Sequence, residues 1–354
     1  MTIEDLARPE IRDLHSYEIP VQVRGALRLH ANEAPWSAKA NCDSLNRYPE
    51  LRPNELRSRL AGHFSVSRDN LLVTRGSTEA IDLLVRTFCR AGQDNIVITP
   101  PTFAMYQVYA DIQGAGTINC PLLAEQDFAA DADAINESCT ANSKLILICS
   151  PNNPTGNVVP RPQIIQLLQA RKGKSIIVVD EAYIEFSDTE SMADLVAEYE
   201  NLVILRTLSK AFALAGARCG AVIGNTALIR ILNGVLAPYA LSTPVIDCVV
   251  HALSSVENSD DGFRVREIIA ERERIREQLT SNRIVQKVWP SQTNFLLVQF
   301  RDLATVQKRL QTEGILIRDL SSQPGLKNCA RITVGSLDEN NRLLSALHYD
   351  EDDR

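Results

Sequence analysis

From Pro53 onward the hydrophobic positions of the chain alternate between two periods. Leu56, Leu60 and Phe64 recur at helical spacing and predict a helix over Pro53 to Phe64, and Ile81, Leu84, Val85 and Phe88 do the same for Ser77 to Cys89. Short apolar runs predict strands at Leu71 to Val73, Asn95 to Thr99, Gly116 to Cys120, Lys144 to Cys149, Ser175 to Asp180 and Leu202 to Leu205, with helical or mixed segments between most of them. Runs such as LILIC and IIVV are apolar on both faces, so they suit a largely parallel sheet covered by helices on each side, an α/β domain. Near residue 247 the texture changes. Helices are predicted at Pro244 to Leu253, Gly262 to Leu279, Leu303 to Gln311 and Asp338 to Leu347, with strands near Val285 and at Phe295 to Val298, Ile315 to Ile317 and Arg331 to Val334, which describes a smaller α+β domain. Residues 1 to 47 keep no sustained period and read as an arm. The expected division is therefore an arm over 1–47, a large domain over 48–246 and a small domain over 247–354.

Composition narrows the function classes. The 354 residues are 45% hydrophobic and 23% charged with a net charge of −7, and no basic run is long enough to suggest nucleic acid or an anionic membrane as partner. Anionic small molecules would have to be caught by individual arginines. The opening MTIEDLARPEIRDL lacks the apolar core of a signal peptide, and the longest uncharged run, Ile231 to Ile246, is interrupted by Asn233, Pro238 and Pro244, so a cytoplasmic protein is expected. Eight cysteines without a CxxC pair and five histidines without ligand spacing predict no metal site.

In sheets of this kind functional residues collect at the carboxyl ends of strands, and four clusters fall there. In VILRTLSKAFALAGARCGAVIG, Lys210 follows a strand among the hydroxyls of Thr207 and Ser209, with Arg218 eight positions on and one or two helical turns expected over Ala211 to Ala217. A lysine desolvated near other cations loses its proton readily and becomes an amine nucleophile suited to Schiff-base chemistry, while the hydroxyls and guanidinium suit a phosphate. Gly76, Ser77 and Thr78 open a helix after a strand, which describes either a phosphate cradle or an ordinary N-cap with Glu79 in the first turn. SPNNPTG, over Ser150 to Gly156, places Asn153 after LILIC in what is equally a plain structural turn. Asp180, Glu181, Ala182 and Tyr183 follow IIVV, and a carboxylate ending a buried strand needs a cationic partner or a use. Phe103, after Pro100, Pro101 and Thr102, is either a ring-stacking residue or core. A nucleotide loop at Gly173, Lys174 and Ser175 is excluded, because Leu168 stands where the first glycine of that motif belongs.

In their order and spacing, HANEAPW, LNRYPE, RGSTEAIDLLVRTFC, PPTFAMY, SPNNPTG, DEAYIEF, RTLSKAFALAG, APYALSTPV, IRD and RITVG resemble the fold-type I, aspartate-aminotransferase-like enzymes that use pyridoxal 5′-phosphate. Among them the chain is most similar to the histidinol-phosphate aminotransferase family, essentially end to end. The resemblance implies transfer of the amino group of L-histidinol phosphate to 2-oxoglutarate in histidine biosynthesis. An aromatic-amino-acid transaminase and a threonine-phosphate decarboxylase-like lyase are rivals on the same fold. It implies Lys210 as the Schiff-base lysine and general base, Asp180 as partner of the pyridine nitrogen, Asn153 and Tyr183 as ligands of the ring hydroxyl, and Phe103 as the stacking residue. Gly76, Ser77, Thr78, Thr207, Ser209 and Arg218 become the phosphate cup. Tyr48 of LNRYPE would reach the cofactor of a partner subunit in a homodimer, and Arg331, Arg318, Tyr17 and Asn32 would meet substrate. Three features depart from the family pattern: Ser77-Thr78 replaces a frequent Ala-Asp, Phe103 replaces a frequent tyrosine, and Ala213 and Ala217 stand near the lysine in place of other residues.

Overall fold

The computed structural model describes residues 2–12, 14, 27–38, 45–255 and 261–348. Seven strands form the larger sheet: β1 (Leu71–Thr74), β2 (Asn95–Ile98), β3 (Gly116–Asn119), β4 (Ser143–Cys149), β5 (Ile176–Asp180), β6 (Leu202–Thr207) and β7 (Gly220–Gly224), in the order β1-β7-β6-β5-β4-β2-β3. Strands β3, β2, β4, β5 and β6 are parallel, whereas β7 runs antiparallel to both β6 and β1. The helices are α1 (Ile3–Leu6), α2 (Pro9–Arg12), α3 (Asn54–His63), α4 (Gly76–Phe88), α5 (Met105–Gln113), α6 (Ala132–Ser138), α7 (Arg161–Ala170), α8 (Thr226–Val235), α9 (Thr243–Ser255), α10 (Asp261–Thr280), α11 (Leu303–Thr312) and α12 (Leu337–Leu347). A second, wholly antiparallel sheet holds β8 (Val285–Val288), β9 (Phe295–Phe300), β10 (Arg318–Asp319) and β11 (Cys329–Thr333), in the order β10-β11-β9-β8.

The period-two geometry of a strand sends alternate residues of the larger sheet into two cores. Ile146, Ile148, Ile177, Val179 and Ile204 face one side with Leu56 and Leu60 of α3, Leu167 of α7 and Val249 of α9. Leu145, Leu147, Ile176, Val178 and Leu205 face the other with Ile81 and Leu84 of α4, Tyr106 of α5 and Leu228 of α8. Each fully buried aliphatic side chain contributes about 1.5–3 kcal/mol, so the double covering holds the carboxyl ends of the central strands rigidly. Ile3 and Leu6 of the arm are themselves buried in the second of these cores. The smaller sheet has its own core, with Leu296, Val298 and Phe300 against Ile275 and Leu279 of α10 and Leu343 and Leu347 of α12.

Several elements differ from the pattern-based expectations. Only Ala215–Ala217 of the stretch after Lys210 forms a helical turn, of the 3-10 kind, because Ala213 and Arg218 take left-handed φ values of 55° and 50°. The strand expected at Ile315 to Ile317 is displaced to Arg318–Asp319, the two residues that find partners, Arg331 and Ala330, on β11, while Leu316 is left exposed. β7 and α8 carry no expectation at all. Helix α9 runs through the division expected at 246/247, and its Val249 and Leu253 pack into the core of the larger sheet.

Candidate active site

Because β4, β5 and β6 are parallel and in register, with Cys149 opposite Asp180 and Asp180 opposite Leu205, the turns that follow them open at one end of the sheet. The antiparallel return of β7 adds a fourth component. Thr207 and Gly220 are register partners, so Ser209, Lys210 and Arg218 belong to one excursion that leaves and re-enters the sheet at the same place. Their side chains meet in a cavity of about 250 Å³, lined by Ser77, Thr78, Phe103, Asn153, Asp180, Tyr183, Thr207, Ser209, Lys210 and Arg218, with Arg331 from the smaller sheet.

On one side the cavity is a cup of hydrogen-bond donors. Gly76 begins α4 at φ +76°, a conformation that disfavours any side chain. The N-cap position is Arg75, which makes no side-chain cap, and Glu79 is turned onto Arg75, accepting from its backbone N at 2.6 Å and its Nε at 2.7 Å. The mouth of α4 is thus not closed as an ordinary N-cap would close it, and its positive end faces Arg218. Arg218 Nη1 donates to Ser209 Oγ at 3.3 Å, and Thr207 Oγ1 donates to the same oxygen at 3.0 Å. A Cβ on Gly76 would lie 2.9 Å from Arg218 Nη2, so glycine is what lets the guanidinium reach the helix mouth.

The cavity also holds a buried carboxylate. Asp180 is 3% exposed, its Oδ2 accepts from Tyr106 Oη at 2.9 Å and its Oδ1 from the Ala182 backbone N at 3.2 Å. Burial pushes its pKa up to about 6, with these two donors and the charge of Lys210 opposing the rise. The contrast with its neighbour is informative. Glu181 is as deeply buried but is paired with Arg206 at 3.5 Å and accepts from Ser191 Oγ and Met192 N, so its charge is structurally satisfied. Asp180 forms no ion pair among the described residues.

Lys210 opens onto the same cavity, with Nζ 5.7 Å from the centroid of the Tyr183 ring. Desolvation first, then the positive charges of Arg331 and Arg218, hold its pKa below the usual lysine value. Tyr183 is buried and its phenol is pushed upward, chiefly by that burial. Its Oη accepts from Asn153 Nδ2 at 3.3 Å, and Asn153 Oδ1 in turn accepts from Arg331 Nη1 at 2.6 Å, which ties the smaller sheet to the larger across the cavity. Phe103 lines the cavity with its ring edge-on to Tyr106, centroids 5.6 Å apart.

Not every residue singled out in the sequence arrives here. Tyr48 is half-exposed outside the cavity lining and stacks on Tyr239 at 4.6 Å; its backbone N donates to Glu33 at 2.8 Å. Asn32 is exposed with φ 55° and lies outside the lining. Arg318 sits opposite Arg331 across β10 and β11 and lines a separate groove on the smaller sheet with Arg331, Arg342 and Glu339. Tyr17 lies outside the described residues. Tyr106, conversely, hydrogen-bonds Asp180 without having been singled out in the sequence; its only signal is the i, i+3 spacing from Phe103 at a helix start.

These groups fit pyridoxal phosphate. A helix mouth with a guanidinium and two hydroxyls suits a phosphate, an amine of lowered pKa suits an aldehyde, and a desolvated, unpaired carboxylate lacks only the cation that a protonated ring nitrogen would supply. The family model described as aminotransferase class I and II matches residues 13–347. A histidinol-phosphate aminotransferase of Serratia proteamaculans is 44% identical over 351 residues, covering 98% of this chain and 96% of its own. Two solved structures share the fold at 23% identity. The histidinol-phosphate aminotransferase of Clostridium acetobutylicum has a TM-score of 0.77 over 86% of this chain and 90% of its own, and that of Sinorhizobium meliloti, in complex with pyridoxal-5′-phosphate, has 0.76 over 85% and 82%. On sequence and architecture together, the chain belongs to the class I and II aminotransferases.

Proposed function

We propose that this aminotransferase moves the amino group of L-histidinol phosphate to 2-oxoglutarate, yielding imidazole-acetol phosphate and L-glutamate for histidine biosynthesis, with pyridoxal 5′-phosphate as cofactor. The observation that carries the reading is the convergence of Lys210, Asp180 and the Arg218 cup in one cavity with Arg331 reaching into it. The choice of substrate is supported by the 44% identity, over nearly the whole chain, to a relative of that name.

When bound, pyridoxal phosphate supplies an aldehyde for amine exchange and a ring that takes up the electron pair left at the substrate's Cα. Gly76, Ser77, Thr78, Thr207, Ser209 and Arg218 would hold its phosphate, Phe103 would stack on the ring, and Asn153 and Tyr183 would bond its hydroxyl. Asp180 would keep a proton on the ring nitrogen. Lys210 would carry the cofactor between turnovers and move the proton at Cα; its lowered pKa raises the share of neutral amine available as base. Arg331, with Arg318 beside it in register, would take the substrate's anionic group, and Tyr17 and Asn32 would approach from the arm. Tyr48 would serve a partner subunit's site. Leu27, Leu29 and Trp36, each at least three-quarters exposed, and the half-exposed Tyr48 stacked on Tyr239 support a homodimer, since large exposed apolar side chains favour association. A cytoplasmic enzyme agrees with the absence, among the described residues, of any helix long and apolar enough to cross a membrane. The arm, the large domain and the small domain would be the units that together bring these residues to one cavity, with Ile3 and Leu6 anchoring the start of the arm in the larger core.

The test is a single half-reaction followed by absorbance. Histidinol phosphate should discharge the visible band of the enzyme stoichiometrically, and borohydride should fix the cofactor on Lys210 before substrate is added but not in Lys210→Ala. Equal efficiency with dephosphorylated histidinol would favour an aromatic transaminase, and carbon dioxide released from threonine phosphate would favour the lyase.

A further inference from the structure

We propose that Tyr106 is the positioning residue of Asp180, its buried hydroxyl fixing the carboxylate in the orientation and charge state that the cofactor's ring nitrogen requires. The inference rests on the reading of Asp180 as partner of that nitrogen. Tyr106 lies in the first turn of α5, immediately after the loop that carries Phe103, and is completely buried. Its ring is held edge-on to Phe103, and its Oη stands 2.9 Å from Asp180 Oδ2. One side chain therefore braces both the residue proposed for the ring face and the residue proposed for the ring nitrogen.

Packing alone does not account for a tyrosine here. Phenylalanine would fill the same volume against Phe103 without introducing a hydroxyl that must find a partner. The groups facing Asp180 are Tyr106 from α5, Cys149 from β4, and Tyr183 and Lys210 from the turns beyond β5 and β6, together with the Ala182 backbone N. Of the neutral side chains among them, Tyr106 is the one that hydrogen-bonds the carboxylate. Burial, reinforced by the neighbouring Asp180 and Cys149, holds the Tyr106 phenol far above its usual pKa, so it remains a donor throughout the working pH range. A donor of that kind favours the ionised carboxylate and opposes the desolvation that drives Asp180 toward its neutral form. With Oδ2 tied to Tyr106 and Oδ1 to Ala182, the carboxyl plane has two anchors.

The test compares Tyr106→Phe, Asp180→Asn and the double variant by the dissociation constant of pyridoxal phosphate across pH. Phenylalanine keeps the packing, and matching thermal unfolding midpoints of the cofactor-loaded proteins would register any general loss of structure. Loss of one hydrogen bond to a charged group should weaken binding by about 10- to 100-fold in Tyr106→Phe near neutral pH and move the acid limb of the binding profile to higher pH. In the Asp180→Asn background the same change should alter affinity less than about twofold, because the charge on which Tyr106 acts is gone. Equal effects in both backgrounds, or an unchanged acid limb in Tyr106→Phe while Asp180→Asn loses affinity, would overturn the inference and leave Tyr106 a core residue. An Asp180→Asn variant that binds as tightly as the parent would remove the reading of Asp180 itself, and this inference with it.

Discussion

Asp180 occupies a position that is unfavourable for the folded chain alone, and its pH dependence follows. The folded carboxyl titrates near 6 rather than 3.8, so the folded state holds a proton more tightly than the unfolded state. The stability this contributes is fully present below about pH 4 and is lost as pH rises through about 6. In the cofactor-free protein Asp180→Asn should therefore be more resistant to denaturant than the parent at pH 8, by up to about 3 kcal/mol, with the difference shrinking toward pH 4. If Asp180 has its proposed role at the ring nitrogen, turnover in the same variant should fall by several orders of magnitude, since an amide cannot stabilise a protonated ring. Urea melts at the two pH values check the first statement and steady-state rates the second. Asp180 was legible because an acid ending an apolar run is conspicuous in a sequence. Tyr106 was not, because an aromatic residue on the apolar face of a short helix looks the same whether or not its hydroxyl has a charged partner.

The element that shapes the site is the excursion between β6 and β7. Its start, TLSK, is readable from the strand before it, but its return is not. GAVIG is glycine-bounded and short, and nothing in an apolar run discloses that it pairs antiparallel with its predecessor and places Arg218 beside Ser209. The left-handed Ala213 and Arg218 likewise defeat a helical reading of ALAGA, because neither residue type advertises a positive φ. Gly220 allows the close approach. A Cβ there would stand 2.6 Å from the Arg206 carbonyl oxygen and 2.9 Å from the backbone of Gly76, and backbone cannot swing aside as a side-chain tip can. Gly220→Ala should cost about 1–3 kcal/mol of stability and, by separating β7 from the mouth of α4, loosen the proposed phosphate cup. A parallel loss in denaturant midpoint and in affinity for inorganic phosphate or pyridoxal phosphate is the expected result; loss of stability with unchanged affinity would show that β7 does not set the cup.

At the scale of the molecule, most strands of the two sheets, though not β7, and their order along the chain were readable from periodicity. The limit of the larger core was not, because α9 continues across the change of texture that suggested a boundary. The position of Tyr48, outside the cavity of its own chain, gives the proposed dimer a direct test. Tyr48→Ala and Lys210→Ala, each impaired alone, should regain activity when their subunits are exchanged, because one site of a mixed dimer then has both an intact lysine and an intact tyrosine. A mixture no more active than its better parent would rule out a shared site. The Arg331–Asn153 contact bears on how readily a substrate anion can be held. Asn153 occupies one of the five donors a guanidinium carries and, with the Phe295 ring 5.4 Å from the guanidinium carbon, restrains a side chain that otherwise has about 2 kcal/mol of rotamer entropy to lose. An incoming anion thus meets a cation that is already ordered, and the unfavourable entropy of its capture falls mainly on the ligand.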